Sequence, residues 1–247
     1  MASDRALQSA RGLLVLVGLA IAAVIAYIVW LEAQRYVDEH PEKFPFTPLS
    51  LNDPVGPFTA QKLADLAEDP QACLALLREV DVADALAAPR RSDNPECGYE
   101  DGIAVGALDA NPADLITACP AAAALYLWQR DVVTPAAETH LASPLASFSH
   151  AGSYNCRRLY GRSEGAWSRH ATADAVDITG FRLVDGRSVS VLGDWQGAPE
   201  DAAFLREVRD GACDLFSSVL SPDYNAAHAD HFHLAMREGS AGWTACR

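Results

Sequence analysis

The sequence predicts an α+β fold, in which an antiparallel sheet core with packed helices follows one N-terminal transmembrane helix. Three observations predict it. A long uncharged apolar run lies near the N-terminus, helix-forming segments fill the first half of the remaining chain, and alternating segments bounded by turn residues fill the second half. At 247 residues the chain is long enough for one well-packed domain and such an appendage.

The apolar run at residues 12–31, GLLVLVGLAIAAVIAYIVWL, contains no charged residue. Twenty residues at helical rise span about 30 Å, the thickness of a bilayer's hydrocarbon core. A cleaved signal peptide is the alternative, but the apolar region of such peptides is only about 7 to 15 residues long. We therefore expect an uncleaved transmembrane anchor, preceded by a cytoplasmic N-terminus at residues 1–11.

The cysteines indicate the compartment of the domain. All of them follow the apolar run, none forms a CxxC pair, and their number is even; they are Cys73, Cys97, Cys119, Cys156, Cys213 and Cys246. This pattern is typical of three disulfides in an oxidising compartment, with fifteen pairings open, and the alternative is buried free thiols in a cytosolic enzyme. The positive charges flanking the run are nearly balanced and do not fix its orientation. We expect a single-pass inner-membrane protein whose C-terminal domain lies in the periplasm.

Residues 32–58 are expected to form a Pro-rich stalk, because five prolines between Asp38 and Phe58 favour extended backbone. The domain then occupies residues 59–247. Its first predicted helix follows Thr59, a good capping residue, through AQKLADLAED. A second helix is predicted over PQACLALLREV, and a third from Pro120 to Val133. The segment from Ala87 to Gly102, rich in Pro, Asp and Arg, is predicted to be a loop held by one cysteine.

The second half of the domain is predicted to contain the sheet. LASFSHAGSYNC alternates as a strand pair with a turn at Ala151–Gly152, and AVDITGFRLVDGRSVSVLGDW alternates as a hairpin with its turn at Asp185–Gly186. PEDAAFLREVRDGACDLFSSVL has apolar residues at helical spacing and predicts an amphipathic helix. HFHLAMR is predicted to be the last strand. The net charge of −14 and the lack of a basic patch exclude a nucleic-acid partner, and no pattern indicates an oligomeric state.

Two distant segments carry the residues that point to chemistry. In a strand, His231 and His233 share one face, and Asp177 lies between two apolar residues that should face the core. A carboxylate at such a position must be solvated, paired or bound to a metal. Two imidazoles and one carboxylate leave a fourth position open, as in catalytic zinc sites. The alternative is that these are ordinary polar residues of a sheet, since an HxH pair is common by chance.

The segment from Ser168 to Asp177 resembles the SxHxxGxAxD motif of the D-Ala-D-Ala metallopeptidases that cut peptidoglycan cross-bridges. The HxxHxH from His228 to His233 is similar to that of the penicillin-insensitive murein endopeptidases. A closer resemblance, covering about residues 46–246, is to the bacterial extensin-like proteins, a family named for its extensin-like C-terminal domain. FTAQKLADL, GSYNCRRLYGR, SRHATADAVDITGF and LSPDYNAAHADHFHL all fit the pattern of that family.

The resemblance implies a role for each matching residue. His170, Asp177 and His233 match the ligands of one zinc ion, and His231 matches the base that removes a proton from water. Arg157 matches an arginine that stabilises a developing oxyanion, with Arg158 as the alternative. His228, Tyr154 and Ser168 are expected near the substrate. Zinc is the expected metal, although His and Asp ligands accept other divalent ions.

Two positions depart from the metallopeptidase motif. Its Gly is Ala173 here, which would matter if the backbone needed positive φ. The base is His231, where many relatives use Glu. We expect a zinc-dependent peptidase that acts on peptidoglycan peptides, with residues 12–31 in the inner membrane. The alternative is a non-catalytic protein of the cell envelope, either zinc-containing or stabilised by disulfides alone, that binds or organises the wall.

Overall fold

A single long helix, α1 (Ala2–Glu39), precedes the domain in the computed structural model, which describes residues 2–236 and 245–247, and side chains from residue 11 onward. Met1 and Arg237, which belong to the predicted N-terminus and last strand, lie outside the described residues. An 18-residue window within Arg11–Glu39 has a mean hydropathy of 2.8, and none of that window is buried against protein. By length and composition this helix can cross a membrane; a signal sequence meets the same criteria, so the topology remains a prediction.

Six shorter α-helices follow α1 in the part of the chain that the structure describes. They are α2 (Thr59–Asp65), α3 (Pro70–Glu79), α4 (Cys119–Trp128), α5 (Thr134–Leu141), α6 (Val191–Asp194) and α7 (Pro199–Ala212). A turn of π-helix, Gln129–Val133, joins α4 to α5 and makes them nearly continuous. The predicted helices are confirmed, although the first cap differs and the amphipathic helix is shorter than predicted. Thr59 is the first helical residue of α2, and its hydroxyl accepts a hydrogen bond from Gly56 N instead of capping the helix.

The strands form one large sheet and two small pairs. They are β1 (Arg90–Arg91), β2 (Gly98–Tyr99), β3 (Gly102–Ala104), β4 (Ala110–Asn111), β5 (Ile116–Ala118), β6 (Leu145–His150), β7 (Ala175–Leu183), β8 (Ser188–Ser190), β9 (Ser218–Leu220), β10 (Phe232–Ala235) and β11 (Ala245–Cys246). The large sheet has the order β11-β9-β10-β7-β6-β4, with β8 also paired to β7. Its central pairs are antiparallel, and the short outer strands β11 and β4 pair in parallel.

One face of the sheet packs against the helices. Val176, Ile178 and Phe232 point into this layer and are fully buried. The Trp128 ring of α4 packs on Phe181 of β7, and its Nε1 donates to the Val208 carbonyl of α7 at 2.8 Å, which ties helix, helix and sheet together. The other face of the large sheet is therefore left for the loops between residues 151 and 174.

The sequence was wrong about several elements. The segment from Ala87 to Gly102, predicted to be a loop, contains the short antiparallel pair of β1 and β2, and residues 191–194 at the end of the predicted hairpin form α6 instead of strand.

The predicted second strand of the pair after Leu145 does not form. Gly152 turns the chain with φ +106°, Ala151 and Gly152 bond to the backbone of Asp177, and Asn155 N donates to the His170 carbonyl, so that the chain does not return along β6. The amphipathic helix ends at Ala212, before Leu215. The chain beyond it supplies β9, whose residues 218–220 pair with β10.

The segment between α1 and α2 is packed on the domain. Lys62, only 9% exposed, donates from Nζ to the Pro41 carbonyl at 3.0 Å and to Thr47 Oγ1 at 2.9 Å. Arg130 donates to the carbonyls of Leu51 and Asp53. Residues 41–53 therefore follow the domain surface, while the predicted boundaries of stalk and domain remain predictions.

Three disulfides connect the elements: Cys73–Cys119, Cys97–Cys156 and Cys213–Cys246. The prediction of three disulfides is confirmed, and the structure selects this pairing from the fifteen. The first joins α3 to α4, the second joins the loop before β2 to the loop after β6, and the third joins the end of α7 to β11.

Candidate metal centre

Two ligand candidates lie directly opposite each other on neighbouring strands. In the antiparallel register of β10 and β7, His233 is the partner of Asp177. Their flanking residues Val176, Ile178, Phe232 and Leu234 are fully buried on the helix side. Since side chains alternate along a strand, Asp177 and His233 both project from the opposite face. The predicted alternation is confirmed, and the strand register places one residue of each sequence motif side by side.

The third candidate, His170, comes from a short 3₁₀ turn, Arg169–Thr172, just before β7. Ser168 caps this turn, because its Oγ accepts a hydrogen bond from His170 N at 3.3 Å. Ala173 ends it in the left-handed conformation, with φ 60° and ψ 18°. The reversal at Ala173 folds the chain back, so that His170 faces a residue seven positions later on the strand.

The three polar atoms converge on one point. His233 Nδ1 lies 2.9 Å from Asp177 Oδ1, and His170 Nε2 lies 3.2 Å from each of them. A tetrahedral ion with bonds of about 2.0–2.1 Å has neighbouring ligand atoms about 3.3–3.4 Å apart, so the spacing suits one ion. Within the described residues, this trio is the group of His, Cys, Asp or Glu side chains whose donor atoms lie close enough to share a metal.

A backbone carbonyl sets the orientation of His170. Its Nδ1 lies 2.6 Å from the carbonyl oxygen of Ser153, and the side chain is only 3% exposed. Because a carbonyl only accepts, Nδ1 carries the proton and Nε2 presents a lone pair to the cluster. Ser153 is itself fixed by a hydrogen bond from its hydroxyl to the Ala173 carbonyl at 3.1 Å. Two imidazoles and a carboxylate are donors that zinc and other first-row divalent metals accept.

The electrostatics keep Asp177 and His233 in the protonation states that a metal requires. Burial would raise the pKa of Asp177, but the hydrogen bonds and charges of His170 and His233 outweigh it and hold that pKa well below its ordinary value. Burial is also the largest influence on His233 and lowers its pKa in spite of the neighbouring carboxylate. At neutral pH the site therefore holds an ionised carboxylate and a neutral His233 imidazole, the forms that bind metal.

His231 stands beside this group without belonging to it. Its Nε2 lies 3.5 Å from Asp177 Oδ1, and its Nδ1 lies 2.7 Å from Asp230 Oδ1. Asp230 therefore fixes the ring so that Nε2 faces the cluster. Sequence reasoning missed Asp230, although an acid directly before a candidate base was a usable signal.

His228 lies next to both His231 and His233, outside the ligand group. Its ring lies 5.2 Å from that of His231 and 5.9 Å from that of His233, and its Nδ1 bonds Asn225 Oδ1 at 2.8 Å. Burial and the neighbouring imidazoles lower the pKa of His228 to about 4. It is therefore neutral at physiological pH. Asn225, which sequence reasoning also missed, contacts His228 and holds it in place.

The two arginine candidates differ in their surroundings. The guanidinium of Arg158 lies 4.3 Å above the Trp167 ring and donates to the Gly165 carbonyl, so it is engaged within its own loop. Arg157 lies close enough to His228 for its charge to lower the pKa of that imidazole. The engagement of Arg158 within its loop leaves Arg157 as the better candidate for the cation of the site, and its role stays a prediction.

The remaining candidates, Tyr154 and Ser168, do not enter the cluster. Ser168 is buried and caps the turn that carries His170. Tyr154 packs edge-on against Tyr99, with ring centroids 5.7 Å apart, in a cavity beyond Ser153. Their predicted contacts with a substrate stay predictions.

A family model described as "Extensin-like protein C-terminus" matches residues 71–247. The match includes the three ligand candidates, His228, Asp230, His231 and all six cysteines. No curated protein and no solved structure matches the chain.

Proposed function

This chain belongs to the extensin-like protein C-terminal family, and we propose that it is a membrane-anchored, zinc-dependent hydrolase that cuts an amide bond in peptidoglycan peptides. The predicted family is confirmed over residues 71–247. The observation that supports hydrolysis is the convergence of His170, Asp177 and His233 beside an oriented His231. The kinship with D-Ala-D-Ala metallopeptidases and murein endopeptidases rests on the shared motif residues and belongs to this proposal.

His170, Asp177 and His233 would hold one zinc ion. Three protein ligands leave a coordination position for water or substrate, which is the arrangement of catalytic rather than structural zinc sites. When bound, the ion supplies Lewis-acid chemistry, which acidifies water and polarises a peptide carbonyl. His231 is not a fourth member of the ligand group, which supports an open rather than a closed site.

The protein groups around the ligands supply the proton transfer. His231 accepts a proton from the attacking water at Nε2 and returns it to the departing amine, while Asp230 keeps the proton of the neutral ring on Nδ1. Arg157 stabilises the negative charge that develops on the carbonyl oxygen. His228, neutral and held by Asn225, completes the wall of the site next to His231.

The location belongs to the same proposal. Three disulfides are expected in an oxidising compartment, and α1 is long and apolar enough to cross a membrane. Together these features support a single-pass protein of the inner membrane with its domain in the periplasm, where peptidoglycan peptides are found.

The test combines metal content with digestion. The full chain is purified in detergent without chelator as wild type, as His231→Ala and as His140→Ala, the last being a surface histidine bonded to Glu207. We expect about one equivalent of zinc in all three proteins, and release of cleaved muropeptides by wild type and His140→Ala only. Zinc without any difference in products would indicate a wall-binding protein. Less than about a tenth of an equivalent of any divalent metal would indicate a domain stabilised by disulfides alone.

A further inference from the structure

A cavity of about 440 Å³ lies beyond Ser153 from the metal ligands. Its wall includes residues 151–154, so the backbone that orients His170 also bounds the cavity. We call it the tyrosine pocket and define it by Arg90, Tyr99, Asp114, His150 and Tyr154. Its volume lies within the range of small-ligand sites.

The aromatic wall of the tyrosine pocket is braced. The rings of Tyr99 and Tyr154 meet edge-on at 5.7 Å, and the guanidinium of Arg90 lies 5.2 Å from the centre of the Tyr154 ring. Each tyrosine lies two residues from one half of the disulfide Cys97–Cys156. Because this bond joins the two loops, the pocket is pre-formed, which reduces the entropy that a ligand must lose on binding.

The charged side chains of the pocket have opposite sign. Arg90 and Asp114 are both exposed and both line the cavity. Neither forms an ion pair with the other or with any further residue that the structure describes. Two opposite charges that line one cavity without pairing favour a ligand that carries both a carboxylate and an ammonium.

A polar atom in the wall is also unsatisfied. His150 Nε2 lies 2.7 Å from the Pro112 carbonyl, so it donates there and Nδ1 remains an acceptor. This Nδ1 is buried and has no hydrogen-bond partner among the described residues. A buried acceptor without a donor is costly, and a donor brought by a ligand would remove that cost after a small movement of the ring.

We propose that the tyrosine pocket binds the zwitterionic amino-acid end of a wall peptide. Its carboxylate binds Arg90, its ammonium binds Asp114, and its aliphatic stem lies across Tyr99 and Tyr154. This inference deepens the proposed function, on which it rests for the identity of the peptide. It gives that site a substrate class: peptides with a diamino-diacid residue, whose side chain ends in both charges.

The test measures binding by calorimetry with the full chain in detergent and in the His231→Ala background, which prevents turnover. The probes are L-alanyl-γ-D-glutamyl-diaminopimelate and the same tripeptide with lysine as its last residue, which lacks only the distal carboxylate. We expect the first probe to bind about tenfold more tightly, the difference of one charge-assisted pair. Arg90→Gln should abolish this preference, and Asp114→Asn should weaken both probes about tenfold.

The matched controls are Arg91→Gln and Asp93→Asn, which change exposed neighbours that do not line the tyrosine pocket. Both should bind like the parent. Equal binding of the two probes, or equal effects of Arg90→Gln and Arg91→Gln, would overturn the inference. So would binding that disappears after chelation of the metal, since the peptide would then be held by the ion. Retained binding and preference in a protein that never cleaves would support the pocket while refuting the hydrolase.

Discussion

At the scale of single residues, the candidate site depends on which ring nitrogen carries a proton. His170 and His231 each present Nε2 to the cluster, and each holds its Nδ1 against an acceptor, the Ser153 carbonyl in one case and Asp230 in the other. The carbonyl is buried and permanent, whereas the Asp230 side chain is 63% exposed. The ligand is thus fixed by the fold, and the proposed base is fixed by an exposed side chain that can be changed without disturbing the core.

Asp230→Asn is therefore a specific test of His231 as the base. The amide can still accept a hydrogen bond but no longer favours a positive ring, so we expect kcat for muropeptide cleavage to fall about tenfold, a small loss because Asp230 is exposed. Zinc content should stay unchanged, because Asp230 does not belong to the ligand group. An unchanged rate would show that the bond between Asp230 and His231 has no part in proton transfer.

Ala173 stores backbone strain at the turn between His170 and β7. A left-handed residue with a Cβ costs about 1–2 kcal/mol, but Ala173 is also fully buried, and its methyl contributes about 1 kcal/mol to the core. Ala173→Gly should thus leave the free energy of unfolding within about 0.5 kcal/mol of wild type.

The control is Ala171→Gly in the same turn, where the methyl is equally buried and φ is not positive. Ala171→Gly should lower the free energy of unfolding by about 1–2 kcal/mol. The buried methyl is lost, and the glycine gives the unfolded chain more conformational entropy with no relief of strain in the folded state. Urea unfolding of both variants measures the comparison. Equal destabilisation would mean that the turn at Ala173 stores no strain.

At the scale of elements, the sequence predicted those features that repeat along the chain. The alternation around Asp177 and the HxH pair identified two strands and the face on which their polar residues lie, and Asp185–Gly186 marked the turn of the β7–β8 hairpin. Contacts made by the backbone leave no such pattern, so neither the Ser153 carbonyl behind His170 nor the failure of residues 153–156 to form a strand was predictable. The pairing of β7 with β10, distant in sequence, came only from the resemblance of the two motifs.

The contacts of Lys62 in α2 were likewise not predictable from a sequence pattern. In a polar helix segment a lysine is expected to be solvated, yet Lys62 is buried, and burial lowers its pKa. Its hydrogen bonds to Pro41 and Thr47 hold the segment after α1 on the domain. The segment that follows α1 is therefore packed on the domain, and it is not an extended stalk along its whole length.

Lys62→Met should release this segment from the domain. Methionine fills similar volume but donates no hydrogen bond, so residues 41–50 should detach and trypsin should cleave after the exposed Lys43 about tenfold faster, as expected for the loss of roughly 1–2 kcal/mol of local stability. The matched control is Gln61→Met, an exposed neighbour on the same helix. Equal cleavage rates for the two variants would refute docking by Lys62.

At the scale of the whole molecule, the buried imidazoles make the domain sensitive to acid. The folded-state pKa of His228 is about 4, below the 6.5 of the unfolded chain. Between these values the unfolded chain binds a proton that the folded protein does not. The contribution of His228 to the free energy of unfolding is therefore fully present above about pH 6.5 and is lost as the pH drops toward 4. His233, whose pKa is also lowered, acts in the same direction.

In chelator-treated protein, the urea midpoint of wild type should therefore fall between about pH 6.5 and 4, and His228→Gln should show a shallower fall over that window. His140→Gln removes a surface histidine from the same domain and should leave the steep fall in place. A wild-type midpoint that is constant or rises on acidification would contradict the burial of neutral His228.

The disulfides act on the molecule in different ways, although two of them close loops of comparable size. Cys97–Cys156 spans 59 positions and Cys213–Cys246 spans 33, and loop entropy predicts about 4 kcal/mol of stabilisation for each. Only the first lies beside the site, because the chain next to Cys156 includes Asn155, whose N–H donates to the His170 carbonyl at 2.8 Å.

Replacing either pair by serine should therefore lower the free energy of unfolding by a similar amount. Only Cys97→Ser with Cys156→Ser should also weaken zinc binding, by about tenfold or more, as is expected when groups that orient a metal ligand are lost. Competition with a chromophoric chelator at low temperature, where both variants remain folded, measures this. Loss of Cys213–Cys246 serves as the control for general destabilisation. If both variants bound zinc equally, the covalent bond beside Asn155 would have no part in orienting His170, and the loop after β6 would position that ligand through its hydrogen bonds alone.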